Sequence, residues 1–233
     1  MRKLLFANRI AVLFDIDGTL IDTGGAGAAS WRLAFDELYG IPADIGKFTD
    51  TGMTDPDVGR KTFEAVLNRK PERGEFAKLL ERRQYYLHET VAESTSYRVL
   101  PGAEELLLAL IQDGYLLGLV TGNLETAAHI KLHRAHFNRF FSFGGYGSDS
   151  TNRAEVTRIA LQRAGFVFGE EVGPNDAIVV GDTPLDVAGA RAANIACIGV
   201  GSHRYTADEL RTAGADYAIS SLEEALPAAT ARG

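Results

Sequence analysis

The sequence predicts an α/β fold, a doubly wound, Rossmann-like parallel sheet that carries an inserted small all-helical domain. Three observations predict it. Five short apolar runs recur along the chain, at residues 10–14, 116–120, 177–180, 196–200 and 217–219. Each is nearly continuous rather than alternating, the pattern of a strand covered on both faces. Segments of helical periodicity lie between the later runs, and such alternation builds a parallel sheet with crossover helices. The exception is the first interval, where residues 23–97 contain no convincing strand.

Taken in order, the first strand is Ile10-Ala11-Val12-Leu13-Phe14. Amphipathic helices follow at 26–38, 57–67 and 74–92. A crossover needs only about a dozen residues, so this much extra helix reads as an inserted domain. The chain returns to the sheet at Val99-Leu100-Pro101-Gly102, where Pro and Gly punctuate it. The core is therefore residues 1–22 and 98–233, and the insert 23–97. Helices at 103–112, 125–135, 154–164, 185–193 and 207–213 alternate with the remaining strands. Residues 140–143 are an ambiguous sixth strand, because their Phe-rich run has no clear period.

The bulk numbers bound the function. A chain of 233 residues, 45% hydrophobic and 24% charged, is an ordinary globular protein. Its net charge is -7 and it has no Lys or Arg run, which argues against nucleic-acid binding through a basic face. No apolar run approaches the roughly 20 residues that span a bilayer, so no membrane partner is expected. The start, Met1 to Phe6, faintly resembles a signal peptide, but Asn8 and Arg9 interrupt it and cleavage would endanger the first strand. The single cysteine, Cys197, sits in an apolar run and permits no intrachain disulfide. A reducing, cytoplasmic location is the expectation.

Chemistry concentrates at strand ends. Asp15-Ile16-Asp17-Gly18-Thr19 follows the first strand directly. A strand needs no carboxylate there, and desolvating one is costly unless a cation or proton is at hand. Thr121-Gly122-Asn123 follows the second strand, and Gly181-Asp182-Thr183-Pro184-Leu185-Asp186 a later one. Ligands of open α/β sheets bind beyond the carboxyl ends of the strands, so Asp15, Thr121 and Asp182 converge there. Asp15 and Asp182 offer two hard oxygen ligands, which suits Mg2+ together with a substrate phosphate. Asp15 is then a candidate nucleophile, and Asp17, two residues on, a candidate acid and base at the leaving oxygen. Gly18, Gly122 and Asn123 suit close approach to a phosphate, although a tight turn would also use them. Thr121 also reads as the start of a turn or a helix cap. Thr183, Pro184 and Asp186 have the spacing of an N-cap, N1 and N3, so Asp186 reads as both a cap and a residue near the metal.

The motif Asp15-x-Asp17-Gly18-Thr19-Leu20 resembles the first motif of the haloacid dehalogenase-like hydrolase superfamily in its phosphatase form. Thr121 resembles the second motif, and Asp182 with Asp186 the fourth, all in the family's order. The resemblance implies that Asp15, Asp182, Asp186 and the main-chain carbonyl of Asp17 hold Mg2+. Most members carry a Lys in the third motif to hold phosphate and nucleophile. Here the candidate is Arg153, which resembles the branches that use Arg. Asn152 and Glu155 make a capping pattern that puts Arg153 at the first helical position, where the helix dipole does not favour a cation.

The inserted helices resemble the cap of the phosphoglycolate phosphatase and β-phosphoglucomutase branches. A cap of that kind closes over the site, excludes water and shapes specificity. Gly52-Met53-Thr54-Asp55 is the expected loop toward the site, with Met53 where related caps often have Arg. Met53, Arg60 and Lys61 are the positions on which specificity would turn. Gly24-Gly25-Ala26-Gly27 reads as the entry to the cap rather than a phosphate loop, and Trp31 with Ala34 and Phe35 as cap core. His129 and His133 share a helix face but have no third ligand, so they read as packing or surface residues. The resemblance implies a Mg2+-dependent phosphatase that hydrolyses a small phosphorylated metabolite through an aspartyl-phosphate. A sugar phosphomutase, and a non-catalytic protein that binds phosphate esters, remain as alternatives.

Overall fold

The computed structural model describes residues 5–202 and 204–226. The opening residues Met1 to Leu4, on which the reading of a leader partly rests, lie outside them. Six strands form one parallel sheet: β1 (Ala11–Phe14), β4 (Leu116–Val120), β5 (Phe143–Gly145), β6 (Ala177–Gly181), β7 (Ala196–Val200) and β8 (Tyr217–Ile219). Their order is β5-β4-β1-β6-β7-β8. From β1 the chain builds outward through β4 and β5, then crosses back to build the other half from β6. The order therefore reverses at the seam of β1 and β6, where an open α/β sheet places its ligand crevice.

Both faces of the sheet are covered, which is why the strands read as unbroken apolar runs. Val12 and Phe14 pack into one buried layer with Leu106, Leu107, Leu110 and Phe137. Ala11 and Leu13 face the opposite layer, with Val156, Ala160, Val179 and Val187. The helices that supply these layers are α4 (Ala103–Gln112), α5 (Glu125–His133), α6 (Arg153–Phe168), α7 (Pro184–Ala192) and α8 (Ala207–Thr212). Phe14 pairs in register with Leu119 on one side and Val180 on the other. The residues that follow β1, β4 and β6 therefore emerge together, at one level, on the carboxyl edge of the sheet.

Between β1 and β4 the chain makes three helices, α1 (Ala26–Tyr39), α2 (Asp55–Leu67) and α3 (Glu75–Glu93). They share a buried cluster of Trp31, Ala34, Phe35, Phe63 and Leu79, so Trp31 is part of the packing of these helices. The segment enters and leaves through two short strands, β2 (Ile21–Asp22) and β3 (Arg98–Val99), which pair antiparallel. Asp22 and Arg98 reinforce that pairing with an ion pair of 2.8 Å.

Several boundaries differ from the sequence reading, each for a local reason. Helix α2 starts at Asp55 rather than 57, because Pro56 fits the first turn where no backbone donor is needed. Helix α6 runs to Phe168 and stops only where Gly169 adopts a left-handed conformation. Helix α5 ends at His133 rather than 135. In the ambiguous Phe-rich stretch, Phe137–Phe140 is a 3-10 turn and the strand begins at Phe143. Among the described residues no helix is long and apolar enough to cross a membrane.

Candidate active site

The carboxyl edge of β1, β4 and β6 opens into a cleft of about 600 Å³. Asp17, Gly18 and Asp182 line it from the sheet edge, and Trp31, Met53 and Arg83 from the inserted segment. Asp15 begins the turn after β1, and its N–H still donates to the Val180 carbonyl at 2.9 Å, so its backbone continues the sheet. Gly18, three residues after Asp15 in that turn, has a φ of 87°. A Cβ there would lie 2.1 Å from Asp182 Oδ2, so only glycine lets the turn fold down against that carboxylate.

Three buried carboxylates meet at this point. One oxygen each of Asp15, Asp182 and Asp186 lies within 4.8 Å of the others. Burial, reinforced by the negative charge of Asp186, pushes the Asp15 carboxyl well above the usual range, although Arg153 pulls the other way. Burial and the same neighbour push Asp182 up to about 7. Three hard oxygen donors that resist sharing their charge form a donor set suited to a divalent cation. The fit is closest for Asp15 and Asp182. Asp186 is already engaged: its Oδ2 accepts from the Thr183 hydroxyl at 2.7 Å and the Thr183 N–H at 3.1 Å, and its Oδ1 takes Arg153 Nη2. The Thr183 N–H contact is one half of a reciprocal capping box that starts α7, the Asp186 N–H donating to the Thr183 hydroxyl at 3.2 Å being the other, with Pro184 at the first position.

Arg153 opens α6 behind an Asn152 cap whose side chain accepts from the N–H groups of Ala154 and Glu155. Its guanidinium is buried between Asp186, which it contacts directly, and Asp15 Oδ1 at 3.6 Å. Two of its nitrogens, Nε and Nη1, have no partner among the described residues. A buried guanidinium with free donors beside two carboxylates has the geometry to grip an oxyanion.

On the other side, the Thr121 hydroxyl accepts from the Asn123 side-chain amide at 2.8 Å. The same amide nitrogen donates to Asp17 Oδ2 at 2.8 Å. The structure thus brings Asp15, Asp182, Asp186 and Arg153 into one cluster, and Asp17, Thr121 and Asn123 into a second network beside it. Gly122 lies under the loop of residues 52–55. Its carbonyl accepts the Asp55 N–H at 2.7 Å, and a Cβ on it would meet the Met53 carbonyl oxygen at 2.6 Å. Gly122→Ala therefore forces this loop away from the sheet edge. We expect kcat/KM to fall by about two orders of magnitude, the cost of a small misplacement of reacting groups. The melting temperature should change little; steady-state kinetics beside a thermal melt checks this.

Two residues of the site, Lys131 and Arg83, were not anticipated from sequence, and Asp55 was expected only as part of the loop toward it. Lys131, on α5, is buried and places its ammonium 2.6 Å from both Asp17 Oδ2 and Asn123 Oδ1. Burial alone would raise the Asp17 carboxyl, but Lys131 and the Asn123 amide more than offset it and hold Asp17 below its usual range. Asp55 and Arg83 form a buried ion pair of 3.0 Å, and the second oxygen of Asp55 accepts the Leu124 N–H at 2.9 Å, tying α2 to the start of α5. Met53 lines the cleft, whereas Arg60 and Lys61 are exposed and lie outside it. His129 hydrogen bonds Asn138 at 3.0 Å, away from the carboxylates.

Residues 12–200 match the family described as haloacid dehalogenase-like hydrolase. A phosphoglycolate phosphatase of Caulobacter vibrioides is 30% identical over 232 residues, which cover 95% of this chain and 91% of that one. The pyrophosphatase PpaX of Bacillus velezensis is 28% identical over 93% of this chain and 94% of its own. Among solved structures, a β-phosphoglucomutase from Clostridium difficile shares the fold with a TM-score of 0.72, at 21% identity, over 93% of this chain and 92% of that one. A chain whose match to the family spans both the acidic cluster and the cleft, and whose relatives at this coverage are phosphatases, belongs to the haloacid dehalogenase-like hydrolases as an enzyme of the phosphatase type.

Proposed function

We propose that the enzyme hydrolyses a small phosphomonoester with Mg2+ as its metal and an aspartyl-phosphate on Asp15 as its intermediate. The observation that carries this reading is the convergence of Asp15, Asp182, Asp186 and Arg153 beside Asp17, with Asp17 and Asp182 lining a metabolite-sized cleft. Three buried carboxylates against one guanidinium would only cost stability there without a further cation to hold.

In this reading Asp15 attacks phosphorus as the bond to the leaving oxygen breaks, and Asp17 gives that oxygen its proton. The Asp17 carboxylate then takes a proton from water as the water attacks the aspartyl-phosphate and releases Asp15. Arg153, with free guanidinium donors, holds the phosphoryl oxygens and keeps Asp186 in place. Thr121 and the backbone of Gly122 and Asn123 receive the phosphate on the opposite side. Asp15 and Asp182, the Asp17 carbonyl and Asp186 would hold Mg2+. When bound, the ion offsets the repulsion between Asp15 and the dianionic phosphate. Residues 23–97 act as the cap that excludes water, and the reaction takes place in the cytoplasm.

The two relatives described act, by name, on phosphoglycolate and as a pyrophosphatase, so small phosphorylated metabolites are the class to test. The test is phosphate release from a panel of such compounds, with Mg2+ and with excess chelator. Release that needs the ion and ranks the compounds supports the reading. A panel that yields no phosphate under either condition sinks it.

A further inference from the structure

We propose that Lys131 is a positioning residue for proton transfer by Asp17. Its ammonium and the Asn123 amide clamp one carboxylate oxygen of Asp17, so that the other is presented to the leaving oxygen of the substrate. The inference rests on the reading of Asp17 as acid and base given above.

The position itself calls for an explanation. Lys131 lies one helical turn after Ala127 and beside Leu132, both fully buried, on the face that α5 turns inward. An apolar side chain would satisfy that packing without the cost of desolvating a charge. The ammonium is instead drawn to the cleft, 2.6 Å from Asp17 Oδ2 and 2.6 Å from Asn123 Oδ1. Asn123 in turn donates to the same Asp17 oxygen at 2.8 Å and to the Thr121 hydroxyl at 2.8 Å. Both side-chain donors to Asp17 therefore fall on Oδ2, and among the described residues no hydrogen bond occupies Oδ1. The Asp17 side chain is 39% exposed, against 7% for Lys131, so its free edge faces the cleft that it lines.

This arrangement fixes the carboxylate plane by three linked contacts while leaving one oxygen open. Proton transfer needs such a fix, because the donor oxygen must stay within hydrogen-bond reach of the leaving atom. In the substrate complex the negative charge of the incoming phosphate counters the pull of Lys131 and favours a proton on Oδ1. That proton passes to the leaving oxygen as its bond to phosphorus breaks, and the leaving group departs as an alcohol. The carboxylate that remains is held by the Lys131 ammonium until it takes a proton from the attacking water. No further reactant is needed.

A purely structural ion pair and a positioning role differ in how they depend on the leaving group. An aryl phosphate with an acidic phenol leaves without help, whereas an alkyl phosphate needs the proton. The experiment compares wild type, Lys131→Met and Lys131→Arg on a series from p-nitrophenyl phosphate to simple alkyl phosphates, with Mg2+ and with a thermal melt of each variant. The measured quantity is kcat/KM, which reports events up to the first chemical step. Lys131→Met should lose no more than about tenfold on the aryl ester and about a hundredfold or more on the alkyl esters, the range of a lost general acid. Lys131→Arg should recover part of the alkyl activity. A loss of equal size along the series, or no loss, overturns the proposal. If Lys131→Met does not fold, Lys131→Arg carries the test: a uniform loss overturns the proposal, and a loss graded by leaving group supports it. Failure of the wild type to cleave any ester overturns the underlying reading, and the proposal with it.

Discussion

Asp15→Asn should reduce kcat by at least ~10³-fold, the scale seen when a nucleophile is removed, while leaving the protein folded. The substitution keeps the shape of the side chain and removes only its charge. In the metal-free protein that charge is disfavoured by burial and by Asp186 and Asp182. Its removal should therefore hold or raise the melting temperature in chelator at neutral pH. Arg153 keeps its direct contact with Asp186 and does not become an orphan. Loss of activity joined to unchanged or higher stability is the signature of a catalytic group placed at the expense of the fold. A variant that keeps about a tenth of wild-type turnover would remove Asp15 from the nucleophilic role.

The second large effect concerns Asp182 and pH. Its carboxyl rises from an ordinary 3.8 to about 7 in the metal-free fold, through burial and then the charge of Asp186. A carboxyl that binds its proton more tightly when folded subtracts stability as pH rises. The penalty begins above the unfolded value near 4 and is complete once pH passes about 7. At about 1.4 kcal/mol per pKa unit, full ionisation costs on the order of 4 kcal/mol. For a domain of this size that is on the order of 10 °C in melting temperature. The expected result, in chelator, is that Asp182→Asn gains on wild type between about pH 4 and pH 7 and levels off above that. Saturating Mg2+ should cancel or reverse the gain, because the ion stabilises the carboxylate that the variant lacks. A difference that stays flat across that range, in chelator, would show that Asp182 is not held protonated by its surroundings.

The parallel strands were legible because β1, β4, β6 and β7 are buried on both faces, which leaves an unbroken apolar run in each. Strand β5 was not, because two of its three residues are glycines and the Phe-rich turn before it carries the apolar signal. Strands β2 and β3 have two residues each, too few for any period to register. At the site, Asp15, Asp182 and Thr121 stood out because each follows a strand end, where a polar residue breaks an apolar run. Arg153 stood out because a cation at a helix start opposes the dipole. Lys131 offered no such contrast. A lysine in the middle of a short helix is read as solvated, and the only hint was its spacing from Ala127, which marks the buried face. Its partners lie eight and 114 residues away in sequence, so the pairing is a product of the fold alone.

The ribbon of β2 and β3 sets Asp22 opposite Arg98 and Ile21 opposite Val99. Seventy-odd residues thus leave and rejoin the sheet domain through a neck of two paired strands, their ends held about 5 Å apart. To the rest of the chain, whatever hangs from that neck is a single side loop, and loop length adds little to the entropy of closing it. The sheet and the helices hung from the neck can accordingly diverge at different rates. Helices 26–93 can be lengthened, trimmed or exchanged in evolution without re-routing a single strand beneath them, so new substrates need not disturb the chemistry they meet.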